Sequence, residues 1–182
     1  MINLDEIKKV CSDSQILELC LPVLDDPKFS ICPLNLDQSL QCAFTGGLLY
    51  YTGELISSGA LLCSLYKNYN KTHINVKEYL VSVIWANYGK CFEYDCVDTE
   101  SNIWRHSQMT SKLETAYRSA IQFQRFIDSS KHDEAAFAVS YDNIIHNILS
   151  QLSQFGSTPE SSLLLSVVSL SKNLYQYKIH EQ

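Results

Sequence analysis

The sequence predicts an all-α fold built as a single-domain helical bundle, and three observations carry that prediction. Apolar residues recur at three- and four-residue spacing in several long stretches, which is the period of one helix face. The chain has 182 residues, 46% of them hydrophobic, enough to bury one core and short for two. No internal repeat, low-complexity tract or flexible linker divides it, so residues 1–182 read as one bundle.

In chain order, residues 2–24 read as one or two helices within an N-terminal part spanning 1–30. Asp25 to Asp37, punctuated by Pro27 and Pro33, reads as an irregular connection. Leu48, Thr52, Leu55, Gly59, Leu62 and Tyr66 mark one amphipathic helix, and Val76, Tyr79, Leu80, Val83, Ile84 and Asn87 mark a second. A third runs through Met109, Leu113, Ala116, Ala120, Phe123 and Ile127, and a fourth through Tyr141, Ile144, Ile145, Ile148 and Leu152. Between the second and third, Cys91 to Ile103 is polar and weakly periodic, and reads as a short hairpin or loop. The last helix has a clear start: Thr158 caps, Pro159 suits the first turn, and Glu160 sits near the positive end of the dipole. It is expected to run to about Tyr177, and Leu55, Leu62, Val83, Ile84, Ile148 and Leu164 are expected to share one core.

Composition narrows the function classes. Charged residues are 19% of the chain and its formal net charge is −6, with Lys and Arg scattered, so no basic stripe is present to neutralise a phosphate backbone and nucleic-acid binding is disfavoured. The seven cysteines are odd in number and irregular in spacing, with Cys20, Cys63 and Cys91 in apolar segments, which reads as reduced core thiols of a cytoplasmic protein. Cys91 and Cys96 approach a pair but lack the second pair of a zinc site. Residues 1–10 carry Asp5, Glu6, Lys8 and Lys9 and so lack the apolar core of a signal peptide. No uninterrupted apolar run approaches the roughly 20 residues of a membrane span, and no membrane partner is expected.

Three segments carry a resemblance to a known family. Gln41-Cys42-Ala43-Phe44-Thr45-Gly46-Gly47-Leu48-Leu49-Tyr50-Tyr51-Thr52 resembles the opening motif of HD-domain metal-dependent phosphohydrolases, approximately HHAYPGGLLEHT. Trp85-Ala86-Asn87-Tyr88-Gly89-Lys90 stands at a helix end, where that family carries LHDIGK. Ile148-Leu149-Ser150-Gln151-Leu152, followed by Phe155-Gly156-Ser157, is similar to the family's ILSHHG…YGS segment with a short deletion. The likeness covers roughly residues 31–177 and rests on the order and spacing of the motifs more than on any single match. It implies a helical bundle of the HD-domain type.

The same resemblance implies that the metal site is lost. Family members hold metal ions with His and Asp, and the metal activates water against a phosphoester. Here the paired His of the opening motif align with Gln41 and Cys42, and the His after the glycines aligns with Tyr51. The eponymous His-Asp pair aligns with Ala86 and Asn87, the later His pair with Gln151 and Leu152, and the closing Asp near Ser169. Methyl, isobutyl and phenol groups replace imidazoles, and a neutral amide replaces the bridging carboxylate. No metal ligand, catalytic residue or cofactor is therefore assigned.

The polar residues left near the ancestral site are Tyr88, Lys90 and His106. Lys90 is expected to tie the helix end to a nearby carboxylate such as Glu93, and His106, beside Arg105 at a helix start, reads as a surface or capping residue. His146 reads as a satisfied structural histidine. Gly46-Gly47 lacks the Lys-Ser/Thr ending of a phosphate loop, no G-x-S-x-G elbow is present, and Cys42 reads as buried packing. The old cleft is expected to be lined by Tyr51, Asn87, Tyr88 and Gln151, a mixture suited either to recognition or to filling a disused pocket. The resemblance implies a catalytically inactive domain acting as a protein-binding or regulatory module, with another protein as partner. The alternative is a divergent phosphohydrolase using His106, or a nucleotide-binding sensor. Isolated domains of this family occur in mobile genetic elements and phages.

Overall fold

The computed structural model describes residues 3–69, 73–98, 101, 103–107, 113–130, 132–153 and 156–180, the side chains of 66–69, 174 and 176–180 excepted. Helix α1 (Leu4–Asp13) opens on a capping box: the Asn3 side-chain oxygen accepts from the Glu6 amide at 2.9 Å, and the Glu6 carboxylate accepts from the Asn3 amide at 2.8 Å. Gln15 turns the chain at φ 59°, and α2 (Leu17–Leu24) follows, burying Leu19, Cys20, Val23 and Leu24. These are the helices expected within residues 2–24, although Ile2 itself lies outside the described residues.

The connection from Asp25 to Asp37 is not irregular throughout. Helix α3 (Pro27–Ile31) occupies its first part, with the Asp26 carboxylate accepting from the Lys28 amide at 2.8 Å. Proline inside a helix removes one backbone hydrogen bond, as Pro22 does in α2, but at the first helical position its missing N–H costs nothing, so Asp26-Pro27 is a start signal. Beyond α3 the chain loops back on itself. The Leu34 amide donates to the Cys42 carbonyl at 3.0 Å and the Gly46 amide to the Ile31 carbonyl at 2.8 Å, which delivers the chain to α4 (Gly47–Tyr69). Gly46 has φ 80°, and a Cβ on Gly47 would stand 2.0 Å from the Cys42 carbonyl oxygen, so this turn requires both glycines.

Asn75 caps α5 (Val76–Ala86), in which every residue from Glu78 to Ala86 is buried. A short helix, α6 (Lys90–Glu93), leads into an antiparallel hairpin of β1 (Tyr94–Asp98) and β2 (Ile103–His106), pairing Tyr94 with His106 and Cys96 with Trp104. The segment read as a hairpin or loop is thus a hairpin, starting and ending three residues later. Then come α7 (Thr115–Ser129), α8 (Glu134–Phe137), α9 (Tyr141–Ser153) and α10 (Pro159–His180). The third sequence helix therefore begins at Thr115 rather than upstream: Leu113 precedes it and is exposed, and Met109 lies outside the described residues. At α10 the Thr158 hydroxyl accepts from the Ser161 amide at 3.0 Å, as its capping role requires, and the helix continues past Tyr177 to His180.

The fold is mostly helical, with α5 at its centre packed against α2, α4, α7, α9 and α10. Leu55, Val83, Ile84, Ile148 and Leu164 are fully buried in one core, and Leu62 packs half-buried at its margin. Residues 47–65 of α4 are long and apolar enough to cross a membrane by length and composition, although Thr52, Glu54, Ser57 and Ser58 interrupt the run. In this fold that stretch supplies Leu48, Leu55 and Ile56 to the core.

Candidate functional site

Two cavities hold most of the residues singled out in the sequence. The smaller, about 340 Å³, lies where α5 and α9 end and α7 begins, and it is lined by Ala86, Asn87, Glu93, Arg118, Gln151 and Leu152 together with residues 113–116. Its geometry starts from the turn after α5. Gly89 packs so tightly on α7 that a Cβ there would meet the Thr115 carbonyl oxygen at 2.3 Å. The Gly89 amide donates to the Ser119 hydroxyl at 2.8 Å, and that hydroxyl donates to the Ala86 carbonyl at 3.0 Å, so one α7 side chain closes the end of α5.

Glu93 forms the charged wall. Its carboxylate lies 3.2 Å from Lys90 Nζ and 3.6 Å from Arg118 Nη1, and accepts from the Thr115 hydroxyl at 2.9 Å. The expected Lys90–Glu93 tie is present, and Lys90 also donates to the Tyr94 hydroxyl at 3.0 Å. His106 stands on β2 rather than at a helix start, because the chain forms a hairpin there; its Nδ1 is 3.9 Å from Glu93 and its ring 5.3 Å from that of Tyr94. Thr115, Arg118 and Ser119 were not singled out in the sequence. Thr115 and Arg118 are one helical turn apart and so meet the same carboxylate, but nothing in their spacing names Glu93 as that carboxylate.

The larger cavity, about 890 Å³, lies between the loop 38–44, α4 and α10. Gln41 and Cys42 line it, with Leu40, Phe44, Tyr50, Glu54, Ser171 and Tyr175. Gln41 donates to the Ser171 hydroxyl at 2.7 Å, whereas Ser169 is exposed and lines neither cavity. Cys42 is buried at φ 57°, and burial, with the nearby Glu54 charge, pushes its thiol up to about 12. The Tyr50 hydroxyl donates to Glu54 at 2.8 Å.

The expected cleft of Tyr51, Asn87, Tyr88 and Gln151 is thus divided. Asn87 and Gln151 line the smaller cavity together. Tyr51 is buried in the core, where burial raises its phenol, and it lines neither cavity. Tyr88 faces α3 instead: its hydroxyl donates to Asp26 at 2.8 Å and its ring packs edge-on against Trp85 and Phe92. His146 Nε2 pairs with the Ser157 hydroxyl at 2.8 Å. Among the described residues no group of three or more His, Cys, Asp or Glu is placed to hold a metal ion. Phe155 of the third motif lies outside the described residues. Compared with known proteins, the chain matches no family model, no curated protein and no solved structure.

Proposed function

We propose that the chain is a catalytically inactive HD-like helical module that binds another protein. The HD-like part of this reading is supported by Ala86, Asn87, Gln151 and Leu152 lining one cavity, since the resemblance puts those two motif blocks in one site. At these positions stand a methyl, two neutral amides and an isobutyl group, which replace imidazole and carboxylate ligands.

The observation that carries the binding role is the larger cavity. Leu40 and Phe44, 49% and 46% exposed, open into a groove that also presents Tyr50 and Tyr175. Exposed apolar and aromatic groups beside polar rim residues such as Gln38 and Glu54 are the make-up of a protein-binding surface. The partner segment is an apolar one that seats against Phe44. Affinity purification from the native host, with wild type and Phe44→Glu as parallel baits, tests the reading. A partner held by the wild type and lost by a folded Phe44→Glu chain is the expected result; the same proteins on both baits would sink it. Calorimetric titration of the wild type with Mn²⁺ tests the inactivity, and tight binding there would refute it.

A further inference from the structure

The larger groove presents one charge and otherwise mostly acceptors. Among the described residues that line it, Glu54 is the only charged one, and it is also the only charged residue in 47–65 of α4. Its helical neighbours three and four positions away are Tyr50, Tyr51, Ser57 and Ser58, so no cation of its own helix faces it. Among the described residues it accepts from the Tyr50 hydroxyl at 2.8 Å and is in no ion pair. Cys42 beside it is uncharged at neutral pH, because burial and the Glu54 charge itself push its thiol up to about 12.

The hydroxyls around Glu54 have their protons committed already. Tyr50 donates to Glu54 itself, Ser57 donates to the Gly53 carbonyl at 2.9 Å, and Tyr175 donates to the Leu40 carbonyl at 3.1 Å. What these groups leave for an occupant is oxygen lone pairs and ring faces. The Phe44 and Tyr50 rings meet edge-on, 5.8 Å apart, and an aromatic face carries partial negative charge. A carboxylate, acceptor oxygens and ring faces together favour a group that is positive, flat and supplied with donors only. Guanidinium has five N–H donors in one plane, no acceptor and a weaker hold on water than an ammonium, so it stacks on a ring while pairing with a carboxylate. A volume of about 890 Å³ also leaves room for an apolar side chain against Leu40 and Phe44.

We infer that the groove takes an arginine side chain of a partner protein, whose guanidinium pairs with Glu54 and packs against the Phe44 and Tyr50 rings. This rests on the protein-binding reading of the same groove, and the two fail differently. The full-length chain, labelled with ¹⁵N, is titrated with acetyl-leucyl-arginine amide, and in parallel with its lysine analogue and its neutral citrulline analogue. Saturable movement of the Gly53, Glu54 and Ser58 backbone amides by the arginine probe is the expected result. Binding is expected to be about tenfold or more weaker for the citrulline probe, and for the arginine probe on Glu54→Gln, since each change removes a charge-assisted hydrogen bond. Glu54→Gln keeps an oxygen for the Tyr50 hydroxyl, and the citrulline comparison, made on the wild type, does not depend on that variant. No saturable movement, or equal binding of the arginine and citrulline probes, would overturn the proposal. Lysine bound as tightly as arginine would overturn it too, since a point charge would then suffice. Glu54→Gln is also run as a bait beside Phe44→Glu, and a partner lost from both is expected. A partner lost from Phe44→Glu but held by a folded Glu54→Gln at the wild-type level would overturn the arginine and leave the groove reading standing, whereas the same proteins on all three baits would remove both.

Discussion

Around Glu93, a single carboxylate joins three elements: Lys90 on its own short helix, Thr115 and Arg118 on α7, and His106 on the hairpin. Only 17% of its side chain is exposed, and those of Lys90 and Arg118 are 18% and 10% exposed, so the charges are poorly screened. Removing one member of such a set leaves the others desolvated and unbalanced. Glu93→Gln is nearly isosteric and is expected to destabilise the fold by about 2–4 kcal/mol, the range between a lost charged hydrogen bond and a broken buried pair. Urea denaturation of the two proteins measures it, and a change within error would show that Lys90 and Arg118 find other partners. Lys90–Glu93 was legible in the sequence as a pair one turn apart; Arg118 was not, because the approach of α7 is a tertiary event.

At the scale of elements, α5 shows how spacing and packing divide the work. Its apolar rhythm was readable, but that rhythm marks one buried face, and in the fold every residue from Glu78 to Ala86 is buried. Burial on all sides needs polar compensation. Glu78 accepts from the Ser140 amide at 2.9 Å and from the Asn75 and Asn143 side chains, and Asn147 donates to Ser82 at 3.1 Å. The Trp85 indole donates to the Leu19 carbonyl at 2.9 Å, pinning α5 to α2. Ile84 sits among these contacts with no exposed surface, and Ile84→Ala is expected to cost about 2–5 kcal/mol, seen as a lower urea midpoint at unchanged slope. A midpoint equal to that of the wild type would mean that the helix repacks around the missing atoms. The short helix α3 shows the reverse case: Pro27 and Pro33 mark an irregular connection by composition, and the Asp26 side chain capping the Lys28 amide turns the first of them into a helix start.

Across the whole molecule, burial sets the behaviour in alkali. Cys42 is raised from 9.0 to about 12 by burial and by Glu54, and the Tyr51, Tyr79 and Tyr88 phenols are raised above 10.0, chiefly by burial. Each of these groups holds its proton more tightly in the folded chain than in the unfolded one. The stability this contributes is complete below the unfolded value and is lost as pH rises toward the folded one. Unfolding free energy is therefore expected to fall from pH 9.0 upward, and Cys42→Ala should show a shallower fall between 9.0 and about 12 than the wild type. Parallel curves for the two proteins in that interval would show that the thiol titrates alike in both states.

The sequence by itself determined where most helices lie and how the last of them begins, because helix periodicity and the Thr158-Pro159 start depend on near neighbours in the chain. The resemblance grouped Ala86, Asn87, Gln151 and Leu152 with Gln41, Cys42, Tyr51 and Ser169, and the first four line the smaller cavity while the others stand elsewhere. Only the tertiary structure decided that Tyr51 turns into the core, that Tyr88 faces Asp26, and that Gln41 meets Ser171. The physical reason is that periodicity defines a buried face but not the element that covers it. The covering partner depends on how whole helices approach one another, a choice made by the sum of many contacts between residues far apart in the chain.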